Sequence, residues 1–274
     1  MKNIFSVMLA ILLGTMGCAH QEVSERSEKI ESIFLTSGFY KLDIKTHRFT
    51  LRAWQSQPKQ SNQMHVYIEG DGFSWVTRTQ PSRNPTPIYS IVPELAVQDT
   101  EVNSVYLARP CQYVSLALLP CDNAYWTHSR FSKEVVDSMN DAISQLKKTA
   151  KVKDLVLIGY SGGGALAVLI AAQRNDVRSI VTIAGNLDHK AWTKHHHLSS
   201  LDGSLNPPDF WQSLKLVPQI HFVGGVDKIV PVNIYNAYRE RFPENSNIQM
   251  EILSGFDHKC CWVKNWHQLL GKVQ

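Results

Sequence analysis

Residues 155–172 constrain this chain more than any other stretch. Leu155-Val156-Leu157-Ile158 is a short apolar run of the kind that makes a buried strand, and Ala165–Ala172 is apolar throughout, as in a packed helix. Between them stands Gly159-Tyr160-Ser161-Gly162-Gly163. A chain that leaves a buried strand and enters a packed helix over so few residues must reverse sharply. The glycines leave room for a strained backbone and for close helix–strand packing. Strand, Gly-x-Ser-x-Gly and helix in that order put a serine hydroxyl proud of a sheet, at the positive end of a helix dipole. That is a setting for nucleophilic catalysis.

A serine hydroxyl is a weak nucleophile until a base takes its proton, and the base needs a carboxylate to hold it in one tautomer. In the chain order that accompanies this turn, the acid follows the serine and the histidine comes last. Ile220-His221-Phe222-Val223 predicts a strand, ended by Gly224-Gly225, so Asp227 falls in a loop at the carboxyl end of that strand, with Pro231 opening the next helix. Asn247–Leu253 alternates and predicts the next strand; Ser254–His258 follows it as a loop. Of the eleven histidines only His258 and His267 come later than this strand, and His267 falls in an amphipathic helix predicted over Trp262–Leu270. His258 is therefore the expected base and Asp227 the expected acid. Asp188-His189 is a competing pair whose order does not fit.

Met64–Ile68 predicts a further strand, followed by Glu69-Gly70-Asp71-Gly72-Phe73. A glycine-rich loop here can aim backbone N–H groups at a developing oxyanion. The expected donors are the amides of Asp71 or Gly72, joined by Gly162. The acidic Asp71 side chain is expected to point away from that site.

These residues resemble the α/β-hydrolase superfamily of serine esterases and lipases: Gly159–Gly163 as the nucleophile elbow, Glu69–Phe73 where many esterases carry His-Gly-Gly-Gly-Phe, and Asp227 and His258 at the acid and base positions. Glu69 departs from the commoner His. The resemblance spans roughly residues 33–270 and implies an α/β fold with a mostly parallel central sheet, helices on both faces and a short cap insertion over Asn186–Leu216. The remaining pattern agrees: an antiparallel pair over Phe34–Leu42 and Arg48–Gln55, a helix over Ile88–Val97, a strand over Val102–Leu107 and a long helix over Ser132–Ala150 with Ser132 as its N-cap. The reaction implied is hydrolysis of a carboxylic ester through an acyl-enzyme. Thioesterase, amidase, peptidase or acyltransferase chemistry uses the same parts, and a hydrolase fold can also serve as a non-catalytic binding protein of the cell envelope. Trp75, Tyr113 and Trp126 are expected to contact the small-molecule or lipid ester.

Residues 1–17 carry Lys2 and an apolar run from Val7 to Leu13, too short to span a bilayer comfortably. They read as a signal peptide, and Thr15-Met16-Gly17-Cys18 resembles a bacterial lipoprotein cleavage site. Cys18 would then be lipidated, residues 18–30 a flexible tether and residues 31–274 the catalytic domain. The expected place is the cell envelope, as an outer-membrane lipoprotein facing the periplasm, the alternative being a soluble periplasmic or secreted protein. Cys111, Cys121, Cys260 and Cys261 remain, an even number that suits an oxidising compartment. Cys111–Cys121 is the favoured pair. A bond between the adjacent Cys260 and Cys261 would complete that connectivity, and the two arrangements that cross-link the pairs are the others. Neither these cysteines nor His195-His196-His197 has the spacing of a metal site, and no cofactor is implied. A net charge of +4 with no basic cluster gives no reason to expect nucleic acid.

Overall fold

The computed structural model describes residues 24–116 and 120–273. Cys18 and the proposed signal segment lie outside the described residues. Eight strands form one sheet in the order β1-β2-β4-β3-β5-β6-β7-β8. β1 (Tyr40–Lys45) pairs antiparallel with β2 (Thr50–Gln55), and β2 antiparallel with β4 (Asn103–Leu107). From β4 onward every pairing is parallel, through β3 (Gln63–Ile68), β5 (Asp154–Tyr160), β6 (Val177–Ile183), β7 (Gln219–Gly224) and β8 (Ile248–Leu253). This is the expected α/β-hydrolase fold.

Side-chain alternation along the strands divides the core between the two faces. Val66, Leu155 and Leu157 face one cluster, whereas Tyr67, Val156 and Ile158 face the other. The first cluster is covered by α3 (Lys133–Ala150), α4 (Gly162–Ala171) and α7 (Val232–Arg239). The second is covered by a helix over residues 24–36 (α1), α2 (Val92–Val97) and α8 (Trp262–Leu270). α3 begins where expected: Ser132 accepts from the Val135 amide, and Val135, Val136, Met139, Ala142, Ile143 and Leu146 are the buried stripe. Two short helices, α5 (His189–His195) and α6 (Trp211–Leu214), occupy the insertion between β6 and β7.

α1 corrects two expectations. Phe34 belongs to this helix and not to the first strand, and its ring stacks on Trp54 at 5.0 Å. Residues 24–30 are helical and Ile30 is buried, so the folded body starts ahead of residue 31 and no flexible tether reaches that far. Ile30, Ile33 and Phe34 stand at helical spacing, which is enough for one apolar stripe once a sheet face is there to receive it.

β7 carries one buried titratable group. His221 lies in the sheet core, hydrogen-bonded to Thr182 Oγ1 at 2.8 Å and Gln219 Oε1 at 3.1 Å, and burial lowers its pKa to about 3. An unfolded histidine takes its proton near pH 6.5, so this group favours unfolding as the pH falls from about 6.5 towards 3. We expect unfolding free energy to drop with acidification across that window, by about 2 kcal/mol at pH 5 from this residue alone. Urea titrations at pH 5 and 7.5 check it: in His221→Gln the difference between the two pH values should shrink by that amount.

Candidate active site

Parallel strands deliver their loops to one edge of the sheet, where open α/β sheets place their ligands. Loops after β3, β5, β7 and β8 bring Asp71, Ser161, Asp227 and His258 to that edge. Ser161 has φ 53° and ψ −121°, a backbone conformation that disfavours side chains, and it sits between β5 and α4. The turn is held by its packing. The Ser161 amide donates to the Ile183 carbonyl at 3.0 Å, and its carbonyl accepts from Gly164 and Asn186. A Cβ on Gly163 would stand 2.3 Å from the Ile68 carbonyl oxygen, so only glycine lets the helix start that close to β3.

Ser161, His258 and Asp227 form a continuous hydrogen-bonded chain. His258 Nε2 lies 3.0 Å from Ser161 Oγ, and His258 Nδ1 lies 2.8 Å from Asp227 Oδ2. The carboxylate needs a donor, so Nδ1 carries the proton and Nε2 is left to accept from the serine hydroxyl. Asp227 is buried, and its second oxygen accepts from the amides of Ile229 at 2.7 Å and Val230 at 2.9 Å. The loops carrying Asp227 and His258 are tied together by Val226 donating to the Phe256 carbonyl at 3.1 Å. Tyr160 donates its hydroxyl to the His258 carbonyl at 2.9 Å, which fixes the His258 loop from the turn itself. Asp257 turns away from the imidazole and accepts from the amides of Lys259 and Cys260. The competing Asp188 instead caps α5, and His189 is buried near Phe131.

The loop after β3 is built around two carboxylates. Glu69 is buried; its oxygens accept from the Gly70 amide at 2.8 Å, Ser90 Oγ at 2.5 Å and Tyr106 Oη at 2.6 Å. Burial raises its pKa, against the pull of those three donors. Asp71 lies against the elbow: a Cβ on Gly162 would meet its Oδ1 at 2.1 Å. The carboxylate is paired with Arg109 and, at 2.6 Å, with Arg130. Burial raises the Asp71 pKa, the two guanidiniums outweigh burial, and the net shift is downward. The Gly70 amide is taken by Glu69 and the Phe73 amide by the Pro85 carbonyl, whereas the amides of Asp71, Gly72 and Gly162 have no hydrogen-bond partner among the described residues. Gly72 holds φ 68° under the Pro85 carbonyl.

Of the residues expected to meet substrate, Trp75 lines the cleft above Ser161, a hollow of about 480 Å³. Tyr113 and Trp126 do not. Tyr113 is buried edge-on against Trp54, and Trp126 sits in the main core with its indole N–H on the Ser82 carbonyl. The segment between β4 and α3 turns both rings inward, where covering the sheet outweighs leaving a large ring in water. The cleft wall is completed by Ile88, Tyr89, Trp192 and Ile229, with Lys259 beside His258. Arg109 is buried beneath the loop after β3. An aspartate buried in that loop calls for cationic partners, which is the sequence signal for Arg109 and Arg130.

Cys111 is bonded to Cys121, the favoured pairing, and Cys260 to Cys261, the adjacent pairing. The second bond follows His258 in the same loop, and Cys261 with φ 84° starts α8. Among the described residues no group of three or more His, Cys, Asp or Glu could hold a metal, and no helix is long and apolar enough to cross a membrane.

The fold and the loops at its carboxyl edge define an α/β-hydrolase. Residues 121–260, just over half the chain and the part holding Ser161, Asp227 and His258, match the model of the dienelactone hydrolase family, and the chain belongs to that family. Solved structures agree on the fold. The α/β-hydrolase GrgF from Penicillium sp. sh18 superposes with TM-score 0.61 at 15% identity, covering 86% of this chain and 96% of that one. Est1E from Butyrivibrio proteoclasticus gives 0.58 at 14% identity, over 85% and 96%. A dienelactone hydrolase from Anabaena variabilis ATCC 29413 gives 0.57 at 14%, over 85% and 95%. No curated protein sequence matches this chain significantly. The protein is a hydrolase with an esterase-like fold.

The ion cluster under the elbow yields a stability prediction. Asp71→Ala would leave Arg109 and Arg130 buried side by side without a counter-charge, at a cost of about 3–5 kcal/mol. Chemical denaturation of the variant against the parent protein measures it, and a loss below about 1 kcal/mol would mean that the cluster is solvated.

Proposed function

We propose that this hydrolase cleaves carboxylic esters through an acyl-enzyme on Ser161. The observation that carries the reading is the chain of hydrogen bonds from Asp227 through His258 to Ser161, ending beside three unpartnered amides. His258 Nε2 takes the hydroxyl proton as Ser161 Oγ attacks the ester carbonyl carbon. The carbonyl electron pair moves onto oxygen, and the amides of Gly162 and of Asp71 or Gly72 stabilise the charge. Collapse expels the alkoxide, which takes the proton from His258, and leaves the acyl group on Ser161. Water then attacks by the same route with His258 again as base, releasing the acid and restoring the serine. Asp227 keeps the imidazole in the required tautomer and stabilises its cation.

Arg109 and Arg130 have a second effect here. A bare carboxylate at Asp71 would oppose the oxyanion, whereas pairing with two guanidiniums offsets its charge.

Kinetics with p-nitrophenyl acetate test the proposal. Ser161→Ala should lower kcat by about 10⁴-fold or more, and Asp227→Asn by about 10⁴-fold through loss of the right tautomer. Steady turnover by purified, folded Ser161→Ala would refute the assignment.

A further inference from the structure

We propose that the active-site cleft has a second lobe that receives an apolar arm of the ester, with Trp75, Trp192, Leu198 and Leu201 deciding which arms fit. This rests on the esterase reading above and adds the class of ester. A hollow of about 320 Å³ adjoins the cleft over Ser161 and shares Trp75, Arg130 and Trp192 with it. Its volume is at the lower end of the range for small-molecule pockets. Leu198 and Leu201 complete the apolar part of its wall.

The walls are preformed. Trp192 donates its indole N–H to the Ile229 carbonyl at 2.7 Å, in the same turn that holds Asp227. Trp75 is bridged to Pro81, and Leu201 is buried from behind by the core. Yet Trp75 and Leu198 are each left 39% exposed. A concave surface that shows an indole face and a leucine to water gains by covering them with an apolar ligand.

Arg130 is held in place by Asp71 Oδ2 at 2.6 Å and the Thr127 carbonyl at 2.6 Å, so its stem forms a fixed part of the wall. Arg78 and Thr77 lie on the exposed part of the lining. The arm that fits the apolar part is an aryl group or a chain of several carbons.

The test uses two ester series on the full folded protein: p-nitrophenyl esters from acetate to octanoate with phenylacetate, and acetates of alcohols from ethanol to octanol with benzyl alcohol. In one series kcat/KM should climb by roughly fourfold per added methylene until the lobe is filled. Leu198→Trp, which narrows the lobe from its exposed side, should cut the ratio of long-arm to short-arm kcat/KM by about tenfold, and Trp75→Ala should also flatten the climb. Flat profiles in both series, or slopes unchanged in both variants, would overturn the lobe. Hydrolysis that persists in Ser161→Ala would instead strike the esterase reading itself, so the two failures are told apart.

Discussion

A serine held at positive φ between a buried strand and a buried helix is the constraint on which the rest of this structure depends. That conformation costs on the order of 1–3 kcal/mol and persists only where its surroundings over-determine it. Here they do so from three sides. β5 is paired on both edges, by β3 and β6; α4 is buried along its whole length; and the glycines after Ser161 bring the helix start against the carbonyls of Ile68 and Glu69. The same approach sets the loop after β3 beside the serine. Turn and loop are one packed unit.

The second theme is how two carboxylates are accommodated where negative charge would be unwelcome. Asp71 is paired with Arg109 and Arg130, whose charges offset its own. Glu69 follows another course: it is buried without a direct ion pair, accepts three hydrogen bonds, and has its pKa raised by burial. In both cases the side chain fixes the backbone of the loop while the amides of Asp71 and Gly72 stay unpartnered.

Much of this was legible in the sequence because chain order and periodicity carry it. Strand, sharp turn and helix, the placement of Asp227 after β7 and of His258 after β8 follow from apolar runs and glycines, and the helix over Trp262–Leu270 lies where its amphipathic pattern predicted. What failed depends on which way a loop turns. Tyr113 and Trp126 have the composition of pocket residues, but their loops face the core, and local sequence does not encode that choice. Residues 24–36 look polar because a single narrow stripe, Ile30, Ile33 and Phe34, meets the sheet. Trp192 was visible as an aromatic in the insertion; its place on the cleft wall follows from the hydrogen bond to Ile229, a contact between distant segments.

A serine activated on this packed turn should react with a fluorophosphonate. Treatment of the folded, oxidised protein, followed by intact mass and peptide mapping, should give a single adduct on Ser161, formed far more slowly in His258→Ala and absent from Ser161→Ala. A folded protein that forms no adduct, or forms it at another serine, would contradict that activation.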